Sequence, residues 1–145
     1  LNLLYNLIKK GFPWPLGAFT NKKSYCSIEN LIFIIEELIA NSEIPSGVYN
    51  IADDDSLSTT EVITLIGRSA NIKTRIYSIP RMLIKIIAKI GDFTYLPLNS
   101  ERLQKLTESY VIDNSKIKQA INKPLPVSSK DGLVQTFKFF YENEP

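Results

Sequence analysis

The chain has 145 residues, 44% hydrophobic and 22% charged, the size and make-up of one globular domain with enough apolar surface to bury a core. Its 17 basic and 15 acidic side chains leave a formal charge of +2; this excludes a nucleic-acid binder driven by bulk charge and leaves room for a smaller anion held by two or three placed cations. One cysteine, Cys26, and no histidine exclude an intrachain disulfide, thiolate metal clusters, Ser-His or Cys-His catalysis and nearly all zinc sites.

In chain order, residues 1–10 place Leu4, Leu7 and Ile8 on one helical stripe, with Gly11 as a C-terminal stop. Phe12-Pro13-Trp14-Pro15-Leu16-Gly17 cannot be helix, because two prolines impose an extended path and remove ladder donors; it reads as an edge strand or a loop. Ser24 to Ile28 is a short strand candidate that runs into a helix over 28–41 with Ser27 as its cap. That helix is apolar around most of its circumference, and the pattern predicts cover on more than one side. Gly47 to Ala52 reads as a second strand, ended by a turn of three aspartates, 53–55. Ser58 and Glu61 have capping-box spacing and open a helix to about Ser69.

Arg75 to Ile79 is a third strand candidate, stopped by Pro80. Met82, Leu83, Ile86, Ile87 and Ile90 line one face of an amphipathic helix ending at Gly91. Asn99 to Leu106 reads as a short helix and Tyr110 to Ile112 as a brief extended piece. Asp113 caps a helix holding Ser115 and Lys116. Lys123-Pro124-Leu125-Pro126 breaks the chain, and Ser128 with Asp131 starts a last helix carrying Leu133, Val134, Phe137 and Tyr141. The sum is about six helices with three or four short strands, an α/β or α+β pattern expected to form a single domain over residues 1–145. The greasiest run, Leu31 to Ala40, contains Glu36 and Glu37 and falls short of the about 20 apolar residues a spanning helix needs. No membrane partner is expected, nor a nucleic-acid partner, and the expected location is cytoplasmic. Met82 is the only methionine, so the chain is expected to be a processed product or a piece of a longer protein.

Two features imitate sites. Tyr5 and Lys9 have the Y-x-x-x-K spacing of an acid–base pair, but no dinucleotide-binding strand, glycine turn and helix precedes them, so they read as neighbours one helical turn apart. The turn 53–55 lacks the alternating spacing of a calcium loop and reads as solvated. The six glycines are isolated, with no phosphate-cradling run among them.

The more informative group begins with Trp14, Pro15, Leu16 and Gly17. A poorly paired strand there would offer main-chain donors and acceptors beside apolar side chains, which suits a flat heteroaromatic base. Lys23 and Tyr25 follow on one side of a strand as a cation and a phenol; the alternative makes them a solvated lysine and a core residue. Arg102 and Lys105, three apart on a short helix, share a face and can clamp a diphosphate, or be ordinary surface charges.

Read end to end, the chain resembles the C-terminal half of the extended short-chain dehydrogenase/reductases, the NAD-dependent nucleotide-sugar epimerases and dehydratases. The segments that carry the likeness are Leu1-Asn2-Leu3 through Lys10-Gly11-Phe12-Pro13-Trp14-Pro15-Leu16-Gly17, then Asn21-Lys22-Lys23-Ser24-Tyr25 and Glu29-Asn30-Leu31. They continue through Gly47-Val48-Tyr49-Asn50-Ile51 with Ser58-Thr59-Thr60-Glu61, Tyr110-Val111-Ile112-Asp113-Asn114-Ser115-Lys116, and Lys123-Pro124.

The resemblance implies a mostly helical substrate lobe of a Rossmann-type enzyme, UDP-glucose 4-epimerase-like, that grips the nucleoside diphosphate of a sugar. It assigns the base to Trp14, Pro15, Leu16 and Gly17. Lys23 stands where the family has a phosphate-binding Arg, Tyr25 where it has an aromatic residue, and Lys105, with Arg102 nearby, near a later phosphate-binding Arg. Lysine in place of arginine loses the two-pronged fork that suits phosphate. NAD or NADP, the catalytic Tyr and Lys and the glycine-rich loop are implied for a missing N-terminal Rossmann half. There the cofactor would oxidise a sugar hydroxyl transiently and return the hydride. This chain alone is therefore expected to hold a nucleotide-sugar substrate without turning it over, and to self-associate through the apolar helix 28–41. The alternative is a non-catalytic ligand-sensing or protein-interaction module built from the same lobe.

Overall fold

The computed structural model describes residues 1–94 and 98–142. Among these, seven helices and two short strands follow one another. They are α1 (Asn2–Lys9), β1 (Lys23–Ser24), α2 (Ile28–Ala40), β2 (Ser56–Leu57), α3 (Thr59–Ser69), α4 (Arg81–Gly91), α5 (Ser100–Thr107), α6 (Ser115–Ile121) and α7 (Ser129–Glu142). The strands pair antiparallel, Lys23 opposite Leu57 and Ser24 opposite Ser56. The fold is thus mostly helical with one minimal sheet, within the expected α/β or α+β range. The chain divides into two compact units, the first made of Leu1–Lys22 with Ser58–Ser109 and the second of Lys23–Leu57 with the chain from Tyr110 onward.

In the first unit α1 packs on α3. Tyr5 and Ile8 of α1 are buried, as are Val62, Ile63, Leu65 and Ile66 of α3. Gly11 has a positive φ of 76°, the left-handed conformation that lets a glycine end a helix. The capping box of α3 forms as its spacing predicts: Glu61 N–H donates to Ser58 Oγ at 3.1 Å and Ser58 N–H donates to Glu61 Oε2 at 2.8 Å. α4 packs on α5 through a thin stripe, with only Ile84, Ala88 and Gly91 buried.

In the second unit α2 packs on α6. Ile34, Ile117 and Ile121 form the centre of this core, flanked by Phe33, Leu38, Ile44, Tyr49, Ile51 and Leu125. Beside them sits a buried carboxylate. Asp53 accepts from Ser27 N–H at 3.0 Å, from Ser27 Oγ at 3.0 Å and from Asn30 Nδ2 at 2.7 Å. Asn30 also donates to Val127 O and accepts from Val127 N–H, and Ser129 Oγ donates to Asp55 O. Ser27 therefore sits at the N-cap position of α2 without a side-chain cap bond, because its hydroxyl is committed to Asp53.

Several expectations are corrected. Gly47 to Ala52 forms no strand among the described residues; side chains hold it instead, with Lys116 Nζ on Val48 O at 2.8 Å and Asn114 Nδ2 on Ala52 O at 2.9 Å. The turn 53–55 is not uniformly solvated, since Asp53 is buried. The strand expected over Ser24 to Ile28 reduces to β1, and that over Arg75 to Ile79 to isolated bridges at Ile76 and Ser78. The cap of α6 is shared. Asp113 Oδ1 accepts from Ser115 N–H at 2.9 Å, while Asn114, one residue on, occupies the cap position. α2 is covered on one side only, leaving Ile28, Leu31, Ile32, Ile35 and Ile39 exposed. On α7, Leu133 and Phe137 are buried and Tyr141 is exposed.

Candidate functional site

The segment 12–17 is extended, as two prolines require, and part of its main chain is paired. Trp14 N–H donates to Arg75 O at 2.7 Å, Tyr77 N–H donates to Trp14 O at 2.8 Å, and Gly17 N–H donates to Tyr77 O at 3.0 Å. Trp14 pairs with Ile76 in parallel and Leu16 with Ser78 in antiparallel fashion. With Pro13 and Pro15 unable to donate, this pairing cannot spread into a ladder. Those three groups stitch 14–17 to 75–78 and are not free to read a base. A Cβ on Gly17 would stand 2.9 Å from Ile76 Cγ2 and 3.0 Å from Tyr77 O, so glycine is what lets the two segments meet so closely.

What 14–16 does form is a wall. Trp14, Pro15 and Leu16 line a groove of about 370 Å³ within the first unit, together with Leu3, Leu4, Leu7, Ile8, Phe12, Pro13, Leu98, Leu106, Arg102 and Lys105. The volume lies at the lower end of the range for small-molecule sites. Every lining residue except Arg102 and Lys105 is apolar. Trp14 is 5% exposed, and its indole N–H is buried without a hydrogen-bond partner.

Both cations stand on α5, started by Asn99, whose Oδ1 accepts from Arg102 N–H at 2.9 Å. The end of α5 is held by buried Asn21 and Thr59. Asn21 Nδ2 donates to Thr59 Oγ1 at 2.9 Å and to Glu108 O at 3.3 Å, and Thr59 Oγ1 donates to Leu106 O at 2.8 Å. Lys105 Nζ meets Glu101 Oε1 at 2.6 Å. That hydrogen bond, and then the opposite charge, lift the ammonium above its ordinary range and hold the Glu101 carboxyl below its own. An incoming phosphate thus competes with Glu101 for Lys105. Arg81 fastens the loop after Gly17, with Nε on Ala18 O at 2.9 Å, an NH2 nitrogen on Thr20 Oγ1 at 3.2 Å, and its guanidinium 5.6 Å from the Phe19 ring centroid.

The structure therefore brings Trp14, Pro15, Leu16, Arg102 and Lys105 to one groove, with Gly17 as the packing point behind it. Lys23 and Tyr25 belong to the second unit. Lys23 is half-buried in β1. Tyr25 lies just past β1, its carbonyl accepting from Asp53 N–H at 2.8 Å, and burial pushes its phenol pKa up. In the same unit, Tyr49, Asn50 and Ile51 line a cleft of about 380 Å³ with Tyr110 to Asp113. Sequence reading missed the contribution of α1 to the groove and the role of Asn21 and Thr59 in positioning α5. The stripe of leucines on α1 was the available signal for the former; the latter had none, because its partners lie 38 and 47 residues away. Among the described residues no group of three His, Cys, Asp or Glu side chains can hold a metal ion, and no helix is long and apolar enough to cross a membrane.

Compared with known proteins, the chain is 26% identical over 140 residues to the UDP-glucose 4-epimerase of Vibrio cholerae. The match covers 96% of this chain and 41% of that protein, so the chain spans about two fifths of the relative's length. No family model matches the sequence, and no solved structure matches it significantly.

Proposed function

We propose that this chain is the substrate-holding part of an NAD- or NADP-dependent nucleotide-sugar epimerase or dehydratase, with the diphosphate at Arg102 and Lys105 and the base against Trp14, Pro15 and Leu16. The observation that carries the reading is the meeting of that apolar wall with two cations in one groove of the first unit. The likeness to a protein named for a UDP sugar supports a nucleotide diphosphate as the ligand class. With Trp14 N–H and C=O and Gly17 N–H already paired, the groove selects its ligand mainly by apolar contact and phosphate charge.

The chain's own residues do not fit a dinucleotide. No glycine stands in a phosphate-cradling run, and Gly17, Gly67, Gly91 and Gly132 are each packed hard against protein atoms. No redox step is given to these residues. Their part is to bind and orient: Arg102 supplies a two-pronged contact to phosphate, Lys105 a point charge once released from Glu101, and Trp14 a flat apolar surface. In this reading the chain by itself binds substrate and leaves it unchanged.

Calorimetry of the chain against UDP-, dTDP- and GDP-sugars tests it. At least one gives a heat of binding, and Arg102→Glu weakens that binding by roughly 10-fold to 100-fold, as loss of a charge-assisted contact requires. A folded chain that yields no nucleotide-dependent heat overturns the reading. Lys23→Glu tests the phosphate role the resemblance gives that residue: loss of binding at nearly unchanged Tm supports it, and unchanged binding removes it.

A further inference from the structure

Among the described residues nothing covers the exposed face of α4. The helix buries Ile84, Ala88 and Gly91 along one i, i+4, i+7 stripe. Around the rest of it Met82, Leu83, Ile86, Ile87 and Ile90 stand in solvent, followed by Phe93; Met82 is 75% exposed and Phe93 92%. At 100° per residue these six project to one side. Arg81, Lys85 and Lys89, spaced i, i+4, i+8, run along its border. The helix contains no acidic residue. The nearest, Asp92 at its C-cap, is engaged by Ser100 N–H at 2.8 Å and Ser100 Oγ at 2.6 Å.

We propose that α4 is an in-plane membrane anchor that lies along an anionic bilayer surface, its apolar face among the upper acyl chains and Lys85 and Lys89 at the lipid phosphates. The pattern is that of an interfacial helix: a wide bulky apolar face, a basic border and a length far below that of a span. Lysines flanking such a face extend their stems over it and keep their ammonium groups at the headgroups. Charge selects a bilayer over a protein partner. Lysine is depleted at protein interfaces, whereas each cation near an anionic surface gains roughly fivefold in affinity. α2 supplies the contrast within the same chain. It exposes Ile28, Leu31, Ile32, Ile35 and Ile39 but carries Glu29, Glu36 and Glu37 and no base, a charge that an anionic surface repels. A long apolar run marks a spanning helix, and α4 is too short to carry one. The inference does not depend on what the groove binds.

Co-sedimentation of the chain with vesicles tests it. The chain is expected to pellet with phosphatidylcholine vesicles containing about 30 mol % phosphatidylglycerol, to stay largely in solution with phosphatidylcholine alone, and to be released by high salt. Lys85→Glu with Lys89→Glu is expected to lower vesicle affinity at least about 25-fold. Ile86→Ser with Ile90→Ser should abolish pelleting, and Ile32→Ser with Ile35→Ser in α2 should leave it unchanged. Phe93→Trp is expected to show a blue-shifted emission on adding anionic vesicles. All these positions are exposed, so circular dichroism should report unaltered folding. Failure to pellet with anionic vesicles, or pelleting indifferent to the Lys85 and Lys89 reversals, overturns the proposal. So does a lipid-free dimer dispersed by Ile86→Ser, which would give the face to a second copy.

Discussion

The two units are filled in different ways. The first is organised by apolar stripes, with Tyr5, Ile8, Ile63 and Ile66 fully or nearly buried where α1 meets α3, and its buried polar pair Asn21 and Thr59 fixes the end of α5. The second has an apolar cluster too, but a carboxylate, Asp53, sits beside it and ties the start of α2 to the approach to α7 through Ser27, Asn30 and Val127. An apolar interior tolerates loss in proportion to the volume removed. A polar hub fails as a unit, because removing one partner strands the others away from water.

The largest expected effect lies in the first unit. Ile66→Ala removes a side chain with no exposure and should destabilise by about 3 kcal/mol, read by denaturant unfolding. Asp53→Ala comes next, at about 2–3 kcal/mol, since two donors of Ser27 and one of Asn30 lose their acceptor; a loss below about 0.5 kcal/mol would show that water serves the hub equally well and erase the contrast. Gly132→Ala sharpens it further. A Cβ there would lie 2.5 Å from Ser27 Cβ, and the forced shift should cost about 1–2 kcal/mol, because α7 approaches the hub over a bare backbone.

Ser58→Ala removes the capping box of α3 and should cost about 1 kcal/mol by thermal unfolding. Asp54 gives the smallest effect. Burial pushes its carboxyl pKa up, but hydrogen bonds from Lys118 and Asn114 and the charge of Lys118 outweigh that and hold it below the ordinary 3.8. A carboxyl lowered in the folded state adds stability above its unfolded pKa and loses it as pH falls through the folded value. Asp54→Asn should therefore lower stability near neutral pH by a few tenths of a kcal/mol, the pair being partly exposed. It should also flatten the fall of stability below about pH 4.

Much of the local structure was legible. The capping box at Ser58 and Glu61, the stop at Gly11, the break at Lys123 to Pro126 and the apolar stripes of α1 and α4 are signals carried within a few residues of where they act. The strands were not. Gly47 to Ala52 has strand composition, yet an extended segment becomes a strand only where another backbone lies alongside it, and side chains of Asn114 and Lys116 serve it instead. The candidate site was legible in part for the same reason. Spacing put Arg102 and Lys105 on one face, and prolines made 12–17 extended. That both main-chain groups of Trp14 are spent on Arg75 and Tyr77, and that Glu101 holds Lys105, depended on what folding brought near.

The sequence by itself determined where helices begin and end, which residues carry charge, and the apolar character of α2 and α4, because propensity, capping and periodicity are properties of neighbouring residues. Tertiary structure decided which apolar faces are covered, which aspartate is buried and which wall meets the two cations of α5. Those outcomes turn on pairings between segments far apart in the chain, such as Ser27 with Asp53 or Trp14 with Ile76, where burial and hydrogen-bond satisfaction are settled together.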